Sequence, residues 1–293
     1  GAPALANYEI TVTKAGYSTD QTYNASSTNP NPTTRSVAVL VSEVSTMNFQ
    51  IDELSNLTVK TFGLPTLGSF EDLFDDQSKI ATSTGSTVAS GTAMLAGAPG
   101  SYNASGTLSS IAVTPGTLDS WDTASIQATV PANTAIAVHV YDASSTTTPT
   151  LIPDADLPGN AAGFAPGNID LSSLDVSTYP ALSLKGVFTT SDAASTPALL
   201  SWKINYTLAQ SPIASIPVAL TSAKTIGTTA SSTPVYKYNE SFTTDGSGSV
   251  SVPNLEWGIY TVAVTDPSYT VAEACNDIPY ALNPGVNDTL RLT

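Results

Sequence analysis

The chain has 293 residues, enough for two or three domains with separate cores, and only 11% of its residues are charged. Its formal net charge of −15, with nine Lys and Arg residues, removes the electrostatic basis for binding nucleic acid or an anionic membrane. A single cysteine, Cys275, excludes an internal disulfide, and no apolar run has membrane-spanning length. We therefore expect an extracellular protein of which this segment neither binds nucleic acid nor inserts into a membrane.

A strand pattern near the start of the chain recurs near its end. In the stretches 8–17 and 260–269, Tyr, a β-branched residue and Val alternate with mostly polar residues, and a second Tyr closes the following turn. The alternating residues are Tyr8, Ile10 and Val12 in the first copy and Tyr260, Val262 and Val264 in the second. This recurrence predicts repeated modules. Only the second copy has a full strand set before it, so residues 1–63 are expected to form a partial prealbumin- or Ig-like β-module with an unpaired strand edge.

The middle of the chain, residues 64–208, contains the longest alternating strands. Along 200–206 large apolar side chains share one face and polar side chains the other, so one face is expected to pack on a core. Further apolar strands are expected at 111–113, 135–141 and 182–188. The number and length of these strands predict a jelly-roll β-sandwich with eight or more strands.

The last part of the chain, residues 209–293, has the strand spacing of a small sandwich. A glycine-rich turn at 245–248 joins two alternating strands, and the repeated strand follows. This length accommodates about seven strands, which predicts a prealbumin-like β-sandwich. The predicted fold class is therefore all-β: tandem β-sandwiches in which Ig- or prealbumin-like modules flank a larger jelly roll.

The last module resembles the carboxypeptidase regulatory-like and collagen-adhesin B-type repeats, in which a D-x-x-G hairpin precedes L-x-x-G-x-Y-x-V. The residues that carry this resemblance are Asp245–Val252 and Leu255–Val262. The middle module, through 70–80, 105–110, 151–160 and 190–197, is similar to jelly-roll segments of prepilin-anchored modular surface proteins of candidate-phyla (Patescibacteria-like) bacteria. The resemblance implies an extracellular or cell-surface location in a bacterium, and a stalk, adhesin or pilus-like filament. The implied partners are neighbouring copies of the chain or other surface-protein modules.

Residue types that support catalysis are sparse. The only histidine, His139, lies between two valines whose side chains point to the opposite face of the strand, so its ring is expected on the wetter side. Cys275 falls in a different predicted module, which disfavours a Cys/His site. Acidic pairs such as Asp119 and Asp122 are typical of turns. We therefore expect no enzymatic activity.

Carboxylates gather where the jelly roll is predicted to begin. They are Glu71, Asp72, Asp75 and Asp76, and Lys79 offsets one of their charges. Calcium prefers such oxygen ligands, so Ca²⁺ is the cofactor that the sequence suggests here. A solvated acidic turn explains the same run of residues. Asp154 and Asp156, in a loop with two prolines, form a weaker second candidate.

Exposed aromatic side chains offer another route to ligand binding, because an aromatic face can stack on the apolar face of a sugar. Trp121, between Ser120 and Asp122, is the tryptophan best placed for exposure and is the predicted ligand-binding residue. For all three tryptophans, Trp121, Trp202 and Trp257, a buried or half-buried structural role is the favoured interpretation. In the adhesin repeats that the last module resembles, an acid on the repeated strand promotes a Lys–Asn isopeptide bond. That strand lacks the acid here, so Lys224 and Lys237 are expected to have no catalyst.

Two hypotheses of function follow. The first is an extracellular structural and adhesive surface protein without catalysis, acting as a stalk or as a pilus-like filament subunit. Its filament form depends on the unpaired edge of the partial first module, which would pair with a neighbouring copy. The alternative is a calcium-dependent carbohydrate-binding module of a surface protein, in which residues 64–208 hold a glycan.

Overall fold

The computed structural model describes residues 7–145 and 148–293, and within these ranges it consists of β-strands, turns and irregular segments. The strands are β1 (Asn7–Tyr8), β2 (Thr11–Val12), β3 (Asp20–Gln21), β4 (Asn31–Pro32), β5 (Val37–Ala38), β6 (Ser55–Thr61), β7 (Thr66–Asp72), β8 (Ile80–Thr84), β9 (Ser86–Ala89), β10 (Thr92–Leu95), β11 (Ser105–Ser110), β12 (Leu118–Thr129), β13 (Thr134–Asp142), β14 (Thr150–Leu151), β15 (Gly167–Asp170), β16 (Leu182–Thr190), β17 (Ala198–Leu208), β18 (Pro217–Ser222), β19 (Thr225–Thr228), β20 (Pro234–Tyr236), β21 (Asn239–Thr243), β22 (Ser249–Leu255), β23 (Gly258–Val264), β24 (Tyr280–Leu282) and β25 (Asn287–Leu292). The predicted all-β class is confirmed. The described part of the chain contains no helix that could cross a bilayer.

The strands form two compact units, and the two outer parts of the chain belong to the same one. Unit 1 comprises Gly1–Leu64 and Ser211–Thr293, and unit 2 comprises Pro65–Gln210. The prediction of separate modules over 1–63 and 209–293 is therefore corrected: the two segments fold together. The bounds of unit 2 differ from the predicted middle module by one residue at the start and two at the end.

Strand β6 explains why the outer segments cannot form separate modules. It lies in the centre of a three-stranded sheet, antiparallel to β22 on one side and parallel to β25 on the other. Its alternating sequence buries Ser55, Leu57, Val59 and Thr61, each at most 4% exposed. Without β6, the sheet formed by the C-terminal segment would have no central strand. Without the C-terminal segment, β6 would have no neighbouring strand in this sheet.

A second sheet faces this one, with the strand order β21-β18-β23-β24. The side chains that form the core between the two sheets are Leu57, Val59, Ile216, Val218, Leu220, Val252, Leu255, Tyr260, Val262, Tyr280, Leu282, Leu290 and Leu292. Two of these thirteen residues come from β6. Unit 1 is therefore one β-sandwich with a core shared by both outer segments of the chain.

The two copies of the repeated strand pattern have different structures. In the second copy Tyr260 and Val262 are 1% and 4% exposed and lie in the seven-residue strand β23. In the first copy Tyr8 and Val12 are half-buried and lie in two-residue strands, β1 and β2, which pair with β5 and β3. The predicted repetition of modules is therefore wrong. The predicted unpaired edge is also absent from β6, which has a partner strand on each side.

Unit 2 is an antiparallel jelly roll with eight principal strands. One sheet has the order β7-β17-β12-β15 and the other β11-β16-β13-β14. The first strand therefore pairs with the last, and the second with the second to last, which is the interleaved order of a jelly roll. Strand β8 extends the second sheet beside β11, and the β9–β10 hairpin lies against the end of β17. The core is centred on Trp121, Trp202, Phe74 and Phe188, which are fully buried. The predicted jelly roll is confirmed.

We expect Leu57→Ala to destabilise unit 1 although Leu57 lies in the N-terminal part of the chain. The substitution leaves a cavity at a site with 0% exposure, so the free energy of unfolding of unit 1 should fall by about 2–5 kcal/mol. Leu108→Ala, also at 0% exposure but in unit 2, is the matched control and should affect only the unfolding of unit 2. Denaturant unfolding monitored by amide hydrogen exchange measures the stability of each unit separately. An unchanged unit 1 in Leu57→Ala would contradict the shared core.

Candidate functional site

Unit 1 contains an ion cluster centred on Glu256. Its two carboxylate oxygens accept from two different lysines: Oε1 lies 2.8 Å from Lys224 Nζ and Oε2 lies 2.7 Å from Lys237 Nζ. The three side chains come from three turns, after β18, β20 and β22. The Glu256 side chain is 16% exposed and the lysines are 29% and 21% exposed. Neutralising a carboxylate on both oxygens at this depth requires a fixed placement of all three turns.

Further contacts fix each member of the Lys224–Glu256–Lys237 cluster. Lys237 Nζ also donates to the backbone oxygen of Thr19 at 2.8 Å. Lys224 Nζ lies 3.7 Å from the ring centroid of Trp257, a cation–π contact. The Tyr260 hydroxyl donates to the Glu256 backbone oxygen at 2.6 Å. Burial, followed by the negative charge of Glu256, raises the pKa of Tyr260 well above its ordinary value, so this hydroxyl stays a donor.

A pocket of about 290 Å³ opens beside the cluster. It is lined by Asp20, Tyr23, Thr33, Thr34 and Gln50 from the N-terminal segment (residues 7–54) and by Lys224, Thr225, Ile226, Lys237, Glu256 and Trp257 from the sandwich. A second pocket of about 270 Å³ shares Lys237 and Glu256 with it. Burial, then the charges of Asp20 and Glu256, raise the pKa of Tyr23 in the first pocket. The cluster therefore lies where the N-terminal segment meets the sandwich.

Backbone pairing holds the N-terminal segment beside the cluster. Strand β4 pairs with β19, and Asn29 Nδ2 donates to the backbone oxygen of Ile226 at 3.0 Å. Gly227 has a φ of +156°, and a Cβ at this position would stand 2.0 Å from Asn29 Oδ1. Only glycine allows this approach. The cluster and the β4–β19 pairing thus both attach the N-terminal segment to the sandwich. These contacts give the cluster a structural role.

The four carboxylates predicted to bind calcium surround one small pocket without sharing a centre. Glu71, Asp72, Asp75 and Asp76 line a pocket of about 220 Å³ together with Leu73, Ser78 and Lys79. Glu71 pairs with Lys203 at 3.6 Å, and Asp76 accepts from the Ser78 amide at 2.7 Å. Hydrogen bonding by the Ser78 side chain, and then by its amide, lowers the pKa of Asp76. Within residues 7–145 and 148–293, no three His, Cys, Asp or Glu side chains are placed to share a metal ion.

Asp72 differs from the other three acids because it is buried. It is 4% exposed, and its Oδ1 accepts from the Phe74 amide at 2.8 Å while its Oδ2 has no hydrogen-bond partner. Trp202, its register partner on β17, is fully buried and its indole Nε1 also lacks a partner. A buried acceptor and a buried donor without partners therefore lie on directly paired residues.

The second acidic candidate is used by local hydrogen bonds. Asp154 Oδ1 accepts from the Ala161 amide at 2.7 Å. Asp156 Oδ2 accepts from the Tyr179 hydroxyl at 2.7 Å, and this hydrogen bond raises the pKa of Tyr179 to about 12. Both carboxylates thus fix the loop that contains them.

The structure corrects the prediction that Trp121 is an exposed, ligand-binding residue. Trp121 is 0% exposed, its Nε1 donates to the Tyr179 backbone oxygen at 2.7 Å, and its ring packs edge-on against Tyr206 at 5.8 Å between centroids. The pairing register of β12 shifts between Trp121 and Thr123, so the alternation of faces changes phase there. A strict period of two along this strand therefore misplaces Trp121.

His139 occupies the half-buried face opposite its buried valine neighbours. Its Nδ1 lies 2.7 Å from the backbone oxygen of Asn160. Asn160 is fully buried and its side chain bonds the backbone of Val140 and Ile152, which ties the loop 152–160 to β13. The histidine takes part in this loop attachment.

Sequence reasoning missed Glu256 as a partner of the lysines. In the adhesin repeats the acid is expected on the repeated strand after Tyr260, whereas Glu256 lies in the turn that precedes this strand. That Lys224 and Lys237 lack a catalyst for an isopeptide bond stays a prediction, and the structure adds that each lysine Nζ lies within 2.8 Å of a Glu256 carboxylate oxygen. The signal was the placement of an acid between the apolar Leu255 and Trp257 in a short hairpin turn.

Comparison with known proteins gives a weak structural similarity. No protein-family model matches the chain, and no curated protein matches it. Among solved structures, the chain is similar to a crystal structure of the major pilin subunit of Bacillus cereus, with 10% sequence identity and a TM-score of 0.22. The alignment covers 98% of this chain and 86% of that one. A TM-score of this size carries no argument about function.

We expect Glu256→Gln to loosen the N-terminal segment. The amide cannot neutralise two lysines, so the free energy of unfolding of unit 1 should fall by about 1–3 kcal/mol. Amide hydrogen exchange around Thr19 should accelerate, because Lys237 loses the partner that fixes it. Glu240→Gln, an exposed acid on β21, is the matched control and should change stability by less than about 0.5 kcal/mol. Equal effects of the two substitutions would contradict the role assigned to the cluster.

Proposed function

We propose that this protein is a non-catalytic structural and adhesive component of a bacterial cell surface. Unit 1 would serve as the structural unit, and unit 2 would be the displayed jelly roll. The observation that carries this proposal is the insertion of unit 2 within unit 1: β6, which precedes unit 2 in the chain, and β25, which follows it, lie side by side in one sheet.

The backbone of unit 1 brings the start and end of the insertion together. Gly63 donates its amide to the Ser211 backbone oxygen at 2.9 Å, and Phe62 and Pro212 form an antiparallel bridge. The chain therefore leaves unit 1 and returns to it at adjacent, hydrogen-bonded residues. Insertion at such a site lets a domain be added while the host sandwich keeps its core, which supports a display role for unit 2.

The composition supports an extracellular location. With 11% charged residues and a net charge of −15, solubility depends on hydroxyl and amide groups and on residual acidity. The edge of β6 plays no part in the proposal, because both of its neighbours come from its own chain. The partners that we propose are other surface-protein modules, contacted by faces other than this strand.

Protease treatment of intact source cells tests the proposed location. We expect the protein to be cleaved on intact cells and to be labelled at the surface by antibodies in electron micrographs, because a structural surface component is accessible from outside. A cytosolic marker protein, protected under the same treatment, is the control. Full protection of the protein until lysis would overturn the proposal.

Calcium-dependent glycan binding by unit 2 is the second candidate, and one observation favours its calcium component. Asp72, whose buried Oδ2 has no hydrogen-bond partner, lines a pocket together with three other acids. Leaving a buried carboxylate oxygen unpaired is costly, and a bound Ca²⁺ would remove that cost. The other candidate partner for this oxygen is Trp202 Nε1, the unpaired buried donor on the register partner of Asp72.

Thermal unfolding of wild type and Asp72→Asn, with Ca²⁺ and with chelator, separates these two possibilities. If Ca²⁺ binds, the midpoint for unit 2 should rise with Ca²⁺ in the wild type and not in Asp72→Asn, because a ligand of the folded state stabilises it by mass action. Asp154→Asn, in the other acidic loop, is the control and should keep the response. An unchanged unfolding midpoint in the wild type would rule out calcium binding. An absence of binding on a glycan array would rule out the carbohydrate-binding candidate.

A further inference from the structure

Two strands that flank unit 2 in the chain, β6 before it and β25 after it, run parallel with consecutive residues paired. β6 and β25 pair from Asn56 with Asn287 to Thr61 with Leu292, six residue pairs in all. Because the strands are parallel, the N-terminal end of β6 and the C-terminal end of β25 lie at opposite ends of this ladder. A force that enters before β6 and leaves after β25 therefore pulls the two strands past each other along their length.

We propose that the β6–β25 ladder is a mechanical clamp that lets unit 1 carry tension along the chain and shields unit 2 from it. The inference rests on the proposed structural role at a surface. It adds the kind of load that unit 1 bears and the order in which the two units respond to it.

Shear is the strong direction for such a ladder. When strands are pulled lengthwise, all of the hydrogen bonds between them bear the load together, whereas peeling from one end breaks them one at a time. Two further backbone bonds extend the ladder, from the Asn56 amide to the Val286 oxygen and from the Phe62 amide to the Leu292 oxygen, both 2.9 Å long. The clamp thus has hydrogen bonds at both of its ends.

Packing resists sliding as well. Leu57 and Val59 of β6 and Leu290 and Leu292 of β25 are all at most 2% exposed and belong to one core. Sliding one strand past the other by one residue would turn these side chains out of the core. On its other edge β6 is held by β22, so it cannot move with β25 without breaking a second ladder.

The connectivity dictates a strict order of events. Unit 2 lies in the chain between β6 and β18, and the loaded path passes from β6 directly to β25 while the clamp holds. Unit 2 therefore bears tension only after the clamp has opened. The N-terminal segment precedes β6 on the path and has strands of only two residues, so it should extend first and at low force.

Single-molecule stretching of the purified full chain from its two ends tests the inference. After the low-force extension, we expect one rupture that releases the sandwich of unit 1, roughly 300 Å of chain, and then a separate event of roughly 500 Å for unit 2. The order should be the same in every trace. Traces in which the 500 Å event comes first would overturn the shielding of unit 2.

Moving one attachment point separates shear from peeling. In a Cys275→Ser background, which removes the exposed native thiol, one handle is attached through Thr293→Cys and, in the comparison molecule, through Asn283→Cys. Asn283 lies at the same end of the ladder as Ser55, whose hydroxyl bonds its backbone oxygen, so this attachment peels the strands. We expect the rupture force to be lower by about two-fold or more with the Asn283 handle. Equal forces would overturn the clamp.

A covalent lock provides a second variant. The side chains of Asn56 and Asn287 bond to each other at 2.6 Å, so Asn56→Cys with Asn287→Cys in the Cys275→Ser background places two thiols on paired strands. Once thiol titration shows that the disulfide has formed, both large events should disappear, and reductant should restore them. Persistence of either event with the disulfide intact would overturn the proposed path.

The stretching experiment and the surface-proteolysis experiment can fail independently. A weak ladder in a protein that surface proteolysis finds outside the cell overturns the clamp and leaves the surface role. A strong clamp in a protein that is protected inside intact cells overturns the surface role and leaves the mechanical property.

Discussion

The pairing of β6 with β22 and β25 is the constraint on which unit 1 depends. One seven-residue strand supplies the centre of a sheet, two of its core side chains and a ladder to each neighbouring strand. Because β6 precedes unit 2 in the chain and its partners follow it, unit 1 closes only when segments separated by more than 180 residues meet. The insertion of unit 2 and the parallel ladder are both consequences of this one pairing.

The Lys224–Glu256–Lys237 cluster has a narrower role, which is to help attach residues 7–54 to the sandwich. The two main sheets of the sandwich are complete without residues 7–54. None of these residues has a side chain in the buried core, whose first member along the chain is Leu57. Their attachment depends instead on backbone pairing, on the close approach at Gly227 and on the Lys237 contact with Thr19. Polar attachment of this kind is weaker than core burial, which is why tension should release this segment before the clamp.

Unit 2 has a different physical basis. Its eight principal strands interleave so that each sheet contains strands from both halves of the unit, and two tryptophans and two phenylalanines fill the space between the sheets. The burial of these rings leaves Trp202 Nε1 and Asp72 Oδ2 unpaired on adjacent strands. Within the described part of unit 2, these two atoms are the buried side-chain groups whose hydrogen bonding is incomplete.

The sequence by itself determined the all-β class, the jelly roll and the bounds of the middle unit to within two residues, because alternation and turn residues are local signals. It also placed His139 on the half-buried face opposite its valine neighbours. Only the tertiary structure decided that 1–63 and 209–293 form one sandwich, because strand pairing over such a separation leaves no local trace. The burial of Trp121 depends on a register shift in β12, and the proximity of Glu256 to two lysines depends on three turns that meet only in the fold. Periodicity reports which side of a strand is buried, but it does not report which strand lies next to it.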